Sequence, residues 1–253
     1  MAHVEREDPR VHQEALRLNK FLALAGVGSR RKNDELILSG VVKVNGKIVQ
    51  ELGTKIHPLR DRVTVNGQPV QVRHKLYYIL FNKPKDCITT LSDERGRATV
   101  LEYVRVRERV YPIGRLDRNT TGLLLLTNDG ELANGLMHPR REIERVYRVR
   151  LERGILEDHF SKLRRGIRLE EGFAKPRQVE LFPGSRRKEL IVSIAEGRNR
   201  EVRRLFEALG YTVKGLERVA FGGLTTEGVA RGRWRYLTQS EVHYLRQQAG
   251  LET

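Results

Sequence analysis

Apolar residues along this chain change their spacing from one stretch to the next, and the spacing predicts the elements. Leu18, Phe21, Leu22 and Ala25 recur at helical intervals and stop at Gly26, a residue suited to a left-handed helix end. Ser29 then stands where an N-cap is needed, and Leu36 and Ile37 run on to Gly40, which predicts a second helix. Beyond it the period shortens to two. VVKVNGKIV and VTVNGQPV alternate about Asn45-Gly46 and Asn66-Gly67, dipeptides of tight hairpin turns. Two short helices and a small sheet are therefore expected over residues 16–74.

The remainder reads as many strands with a few helices. Strands are predicted at 77–81, 122–127, 145–151, 179–182 and 190–194. A helix over 128–138 would be capped by Asn128 or Asp129. Another over 201–210 puts Val202, Leu205, Phe206 and Leu209 on one face and ends at Gly210. Thr238 and Glu241 form a capping box for a terminal helix, with Val242, Leu245 and the Tyr244 ring turned inward. Trp234 and Tyr236 fit a strand that closes the core, and the glycines of 221–228 fit turns. The predicted class is α+β. Residues 1–15 carry no period and are expected to be a loose tail, followed by a small unit at 16–74 and a main body at 75–253.

Charge adds a partner to this picture. Lys and Arg total 48 against 32 acidic residues, a net +16, and Arg outnumbers Lys 36 to 12. Such an excess points to a polyanion, and arginine suits bidentate phosphate contacts and base stacking. The small unit shares in it, with 11 basic and 4 acidic residues between Leu16 and Arg73. Ser29, Arg30, Arg31 and Lys32 gather at one predicted helix start, where backbone N–H groups and cations meet phosphate together. One cysteine, Cys87, leaves no intrachain disulfide and no cysteine-based zinc site, and fits a reducing cytoplasm. The seven histidines have no metal-like spacing. Neither a membrane span nor a secretory signal is predicted.

The string RLNKFLALAGVGSRR…ILSGVVKVNGK resembles the S4 RNA-binding domain, with Asn19 standing where that family usually has an acid. Farther on, GRLDRNTTGLLLLTNDGELAN (114–134) is similar to the active-site motif of pseudouridine synthases. FNKP (81–84), HPRREIERVYRVRL (138–151) and EGRNREVRRLFEALGY (196–211) resemble that group's other motifs, in order. Together they resemble the RsuA family, which joins an S4 domain to a pseudouridine synthase domain. The run GELANGLMHPRREIE is most like its RluB type, the branch that modifies large-subunit ribosomal RNA.

The resemblance implies an S4 module tethered to a catalytic α+β domain with a mixed, largely antiparallel sheet and a cleft across it. It implies isomerisation of uridine to pseudouridine in ribosomal RNA, with no cofactor and no metal. Asp117 matches the catalytic aspartate, Tyr147 the active-site tyrosine and Arg203 the arginine that pairs with the aspartate. Arg115 would help hold the displaced nucleotide. Ser29, Arg30, Arg31, Lys32, Lys43, Lys83, Arg198 and Arg200 are expected to contact RNA. A monomer is the default expectation. A non-enzymatic S4-type assembly factor would account for the charge and the first 74 residues, but not for Asp117, Tyr147 and Arg203 together. The same chemistry on small-subunit or another RNA remains an alternative target.

Overall fold

The computed structural model describes residues 15–72, 75–90, 93 and 96–251. The expected tail therefore lies outside the described residues, apart from Ala15. Leaving aside 107–109, the described residues form two compact units that divide between Leu76 and Tyr77.

In the first unit, helix α1 (Leu18–Leu24) and helix α2 (Arg30–Leu38) pack on a four-stranded antiparallel sheet. Leu18, Phe21, Leu22, Ile37, Val42, Ile56 and Val63 fill the core between them. Ser29 caps α2 by accepting from the Lys32 backbone at 3.1 Å. Asn45-Gly46 and Asn66-Gly67 all have positive φ, as their hairpin turns require. Asn19 donates from its side-chain amide to Asp34 at 2.8 Å, tying α1 to α2. The expected phosphate contacts Ser29, Arg30, Arg31, Lys32 and Lys43 are all exposed.

The second unit is built on a nine-stranded sheet. Its main path uses β1 (Tyr78–Lys83), β2 (Thr120–Thr127), β3 (Arg145–Leu151), β4 (Gln178–Leu181), β5 (Glu189–Ile194), β6 (Val213–Phe221) and β7 (Trp234–Tyr236). Their order is β4-β5-β3-β6-β2-β1-β7, and every neighbouring pair is antiparallel except β6 with β2. Helices α3 (Gly130–Met137), α4 (Glu157–Arg165), α5 (Glu201–Glu207) and α6 (Gln239–Gln248) accompany the sheet. No helix among the described residues is long and apolar enough to cross a membrane.

Local chemistry explains the element ends. Asp129, not Asn128, caps α3, accepting from Glu131 and Leu132, while Asn128 accepts from the Tyr77 backbone at 2.7 Å. The capping box of Thr238 and Glu241 is present on α6, and Val242 and Leu245 are buried. Tyr244 departs from expectation: it is 43% exposed, because its ring lies over Gly223 at the surface rather than under the helix. Trp234 and Tyr236 lie in β7 and pack against the core.

Strand β6 was not predicted from the sequence. It carries two bulges, where Lys214 and Val219 have no partner in the register with β3. Each bulge inserts one residue and breaks the alternation by which a strand is recognised.

Candidate active site

The site is built where a polar loop enters β2. Leu116 is buried and anchors the loop, with Asp117 next in the chain. Leu116 and Thr89 hold each other reciprocally: the Thr89 hydroxyl donates to the Leu116 carbonyl at 2.8 Å and accepts from its N–H at 3.2 Å. Thr120 N donates back to the Asp117 carbonyl at 3.0 Å and closes the turn. The ammonium of Lys83, at the end of β1, donates to the carbonyls of Pro84, Arg118 and Thr120 at 3.1, 3.2 and 2.8 Å. So many anchors hold the Asp117 backbone in one place, which fixes where its carboxylate can reach.

Lys83 was expected to contact RNA, and this expectation is corrected. Its side chain is fully buried and its donors are engaged by the loop. Burial pushes its pKa down to about 8, against the opposing fields of Cys87 and Asp117. A neutral amine has two N–H bonds for three carbonyls, so the loop loses an anchor as Lys83 deprotonates. We therefore expect turnover to fall as pH rises through about 8. Unfolding is not the cause. The folded pKa lies below the unfolded one, so above pH 8 the unfolded chain holds more protons and stability contributed by this group rises with pH. A pH profile of kcat, taken beside the thermal midpoint, checks this. A flat profile, or the same alkaline limb in Lys83→Met, would remove Lys83 from loop control.

Two guanidiniums face Asp117. Helix α5 docks through Val202, Leu205 and Phe206 and presents Arg203, whose Nε lies 3.8 Å from Asp117 Oδ2. Arg203 is itself fixed by donating from Nη1 to the Val213 carbonyl at 3.1 Å. Arg200 Nη1 lies 3.6 Å from the same oxygen. Arg200, expected on RNA phosphate, is thus brought beside the carboxylate. Both separations exceed hydrogen-bonding distance, so neither arginine occupies the oxygen's lone pairs. Burial and the nearby Arg200 both lower the Arg203 pKa, and Asp117 partly offsets them. Arg198, also expected on RNA, pairs with Glu196 at 2.5 Å.

Asp117 stands at the rim of a pocket of about 300 Å³. Tyr147 lines it from β3, on the buried face it shares with Val149 and Leu151. Arg115, Arg198 and Arg200 also line it, so the structure gathers these with Asp117 and Tyr147. Arg203 lines an adjoining depression that again includes Asp117. Sequence reasoning missed two lining arginines, Arg145 and Arg218, both buried in the sheet. Arg145 stands two places before Tyr147 on the same strand face, a signal that was legible. Arg218 lies on β6, the strand that was not predicted.

An arrangement of one carboxylate on an anchored loop, a ring beside it and several cations suits nucleophilic chemistry on a planar group carried by a polyanion. Comparison with known proteins gives the same direction. Residues 77–208 match the family model for RNA pseudouridylate synthase, and residues 16–58 match that for the S4 domain. A Bacillus subtilis protein described as ribosomal large subunit pseudouridine synthase B is 46% identical over 234 residues, covering 91% of this chain and 95% of its own. An uncharacterised RNA pseudouridine synthase of Aquifex aeolicus is 44% identical over 240 residues, covering 94% and 96%. A crystal structure of a pseudouridylate synthase aligns with a TM-score of 0.66 at 31% identity, covering 91% of this chain and 99% of that one. The chain therefore belongs to the RNA pseudouridine synthases, isomerases that here carry an N-terminal S4 domain.

Proposed function

We propose that this enzyme converts uridine to pseudouridine in large-subunit ribosomal RNA, with Asp117 as its nucleophile. The observation that carries the reading is Asp117 itself, a carboxylate fixed by its loop at the rim of a pocket lined by Tyr147. Similarity to the Bacillus subtilis large-subunit enzyme supports the choice of RNA. In the reaction the N1–C1′ bond breaks, the uracil turns, C5 bonds to C1′, the C5 proton leaves and N1 gains a proton. A carboxylate that forms a covalent intermediate divides this into two easier steps. Tyr147 stacks on the base, and its hydroxyl assists the proton's departure. Arg203 and Arg200 hold Asp117 in position, and Arg115 fills the stack that the flipped uridine vacates.

The small basic unit, with the rest of the cationic surface, offsets the few kcal/mol that extruding a uridine costs. Arg30, Arg31 and Lys43 are exposed there, so each acts on phosphate without a role in the core. Replacing all three by alanine should weaken RNA binding and leave the rate of bound RNA unchanged. The slope of log affinity against log salt should shrink by roughly 0.7–0.9 for each phosphate that is no longer neutralised. An unaltered slope would take this face out of RNA capture.

The target is tested by mapping pseudouridines after incubation with each unmodified ribosomal RNA, reading carbodiimide adducts as reverse-transcription stops. One new stop in large-subunit RNA is expected. A stop only in small-subunit RNA would overturn the choice of RNA and keep the chemistry.

A further inference from the structure

Beneath the pocket lie two arginines that the roles above leave unused. Arg145 is 6% exposed and Arg218 is 2% exposed. They flank one ring: the guanidinium carbons lie 5.4 and 5.0 Å from the centroid of Phe221. Neither forms an ion pair with any described carboxylate. Arg145 donates from Nη1 to the Ile143 and Ala195 carbonyls at 2.9 and 2.7 Å, and Arg218 donates from Nε to the Leu123 carbonyl at 2.7 Å. Arg218 Nη2 is buried without a hydrogen-bond partner. Glu201 lies near enough for its field to act on Arg145, but beyond ion-pair distance.

Two charges taken from water with only carbonyls, the Phe221 ring and the Met137 sulfur for company are expensive for the fold. A structural need in this place would be met by neutral side chains. The cost is offset if negative charge arrives during the reaction, and the register shows where it would arrive. Arg218 sits directly opposite Tyr147 across the β3–β6 pair. On its other side, β6 pairs with β2, the strand that the Asp117 loop enters. A base lying against Tyr147 within reach of Asp117 is therefore bracketed over Arg218.

We propose that Arg218, supported by Arg145, stabilises the negative charge that gathers on the uracil when its bond to the sugar breaks. This rests on the reading of the Asp117 pocket as the place where the base is transferred. When N1–C1′ cleaves, the electron pair leaves with N1, and the charge spreads over the ring to O2 and O4. That charge is consumed when C5 bonds to C1′, and the C5 proton then departs while N1 takes one up, which restores the neutral ring. A fixed cation in a pocket that excludes water acts most strongly on charge that appears only in the transition state. Arg218 is thus a catalytic residue toward the leaving base, distinct from the arginines that face Asp117.

The test compares uridine with 5-fluorouridine at the target position, in single turnovers with the full-length enzyme, following loss of the parent nucleoside after digestion. Fluorine stabilises the departing anion by itself, so it lessens the need for the cation. Arg218→Met should slow uridine about 100-fold with RNA affinity little changed, and slow 5-fluorouridine about tenfold less than that. Arg218→Lys keeps the charge with poorer reach and should fall between wild type and Met, with the same dependence on fluorine. It also serves as the readable variant if the Met protein does not fold. An active wild type whose Arg218 variants lose the same factor on both RNAs would overturn the proposal and leave Asp117 untouched. An inactive wild type would instead strike at the reading of the site itself.

Discussion

Asp117→Asn should reduce turnover by at least ~10⁴-fold and leave RNA affinity within a few-fold of wild type. The amide matches the carboxylate in shape but has no charge and little nucleophilicity. The fold should tolerate the change. The Asp117 side chain is 40% exposed, and its ion pairs with Arg200 and Arg203 are long, at 3.6 and 3.8 Å. Pairs of that kind contribute at most about 1 kcal/mol. The loop's anchors are Thr89, Lys83 and the Thr120 N–H, none of which binds the Asp117 side chain. Loss of rate without loss of binding or stability is therefore the expected signature. Turnover by the Asn variant within tenfold of wild type would end the assignment of Asp117 as nucleophile.

Gly122→Ala should be the most damaging single methyl group in the second unit. Gly122 has φ +102, a region L side chains rarely adopt, and it stands where β2 pairs with both β6 and β1. A Cβ here would collide with the Arg218 carbonyl oxygen and lie 2.9 Å from its carbonyl carbon and nitrogen. Those neighbours are backbone atoms of a central strand, so the collision cannot be relieved by a side-chain rotation. Backbone strain and overpacking together should cost at least ~3 kcal/mol. For a domain of this size that lowers the melting midpoint by about 6–12 °C. The same shift would displace Arg218 and the loop that carries Asp117, so activity should fall with stability. A midpoint within about 2 °C of wild type would show that the sheet yields here more easily than its packing implies.

How far the sequence could be read depended on whether a residue's task had a local signature. Ser29, Asp129 and Thr238 are caps, and the Asn-Gly turns need positive φ, so each is legible within a few residues. Asp117 and Tyr147 stood out because a long motif surrounds them. Lys83 was misassigned because a lysine in a polar motif reads as a surface cation. Only tertiary structure reveals that its ammonium turns inward to three carbonyls. Arg200 was expected on phosphate from its charge alone; that its left-handed backbone, φ 50, begins the helix beside Asp117 is visible only in the fold. Strand β6 was lost to its two bulges, and with it went Arg218. Tyr244 shows the limit of a helical stripe, since α6 buries Val242 and Leu245 but leaves that ring at the surface.

Isomerisation at Asp117 can be followed by tritium release. Large-subunit ribosomal RNA, transcribed with 5-tritiated uridine, is incubated with wild type and Asp117→Asn side by side. Bond formation at C5 expels the label, so about one equivalent of tritium per RNA is expected from wild type and none from the variant. Release that is equal in the two proteins would exclude the role of Asp117, and no release from any ribosomal RNA that the protein binds would exclude the proposed reaction.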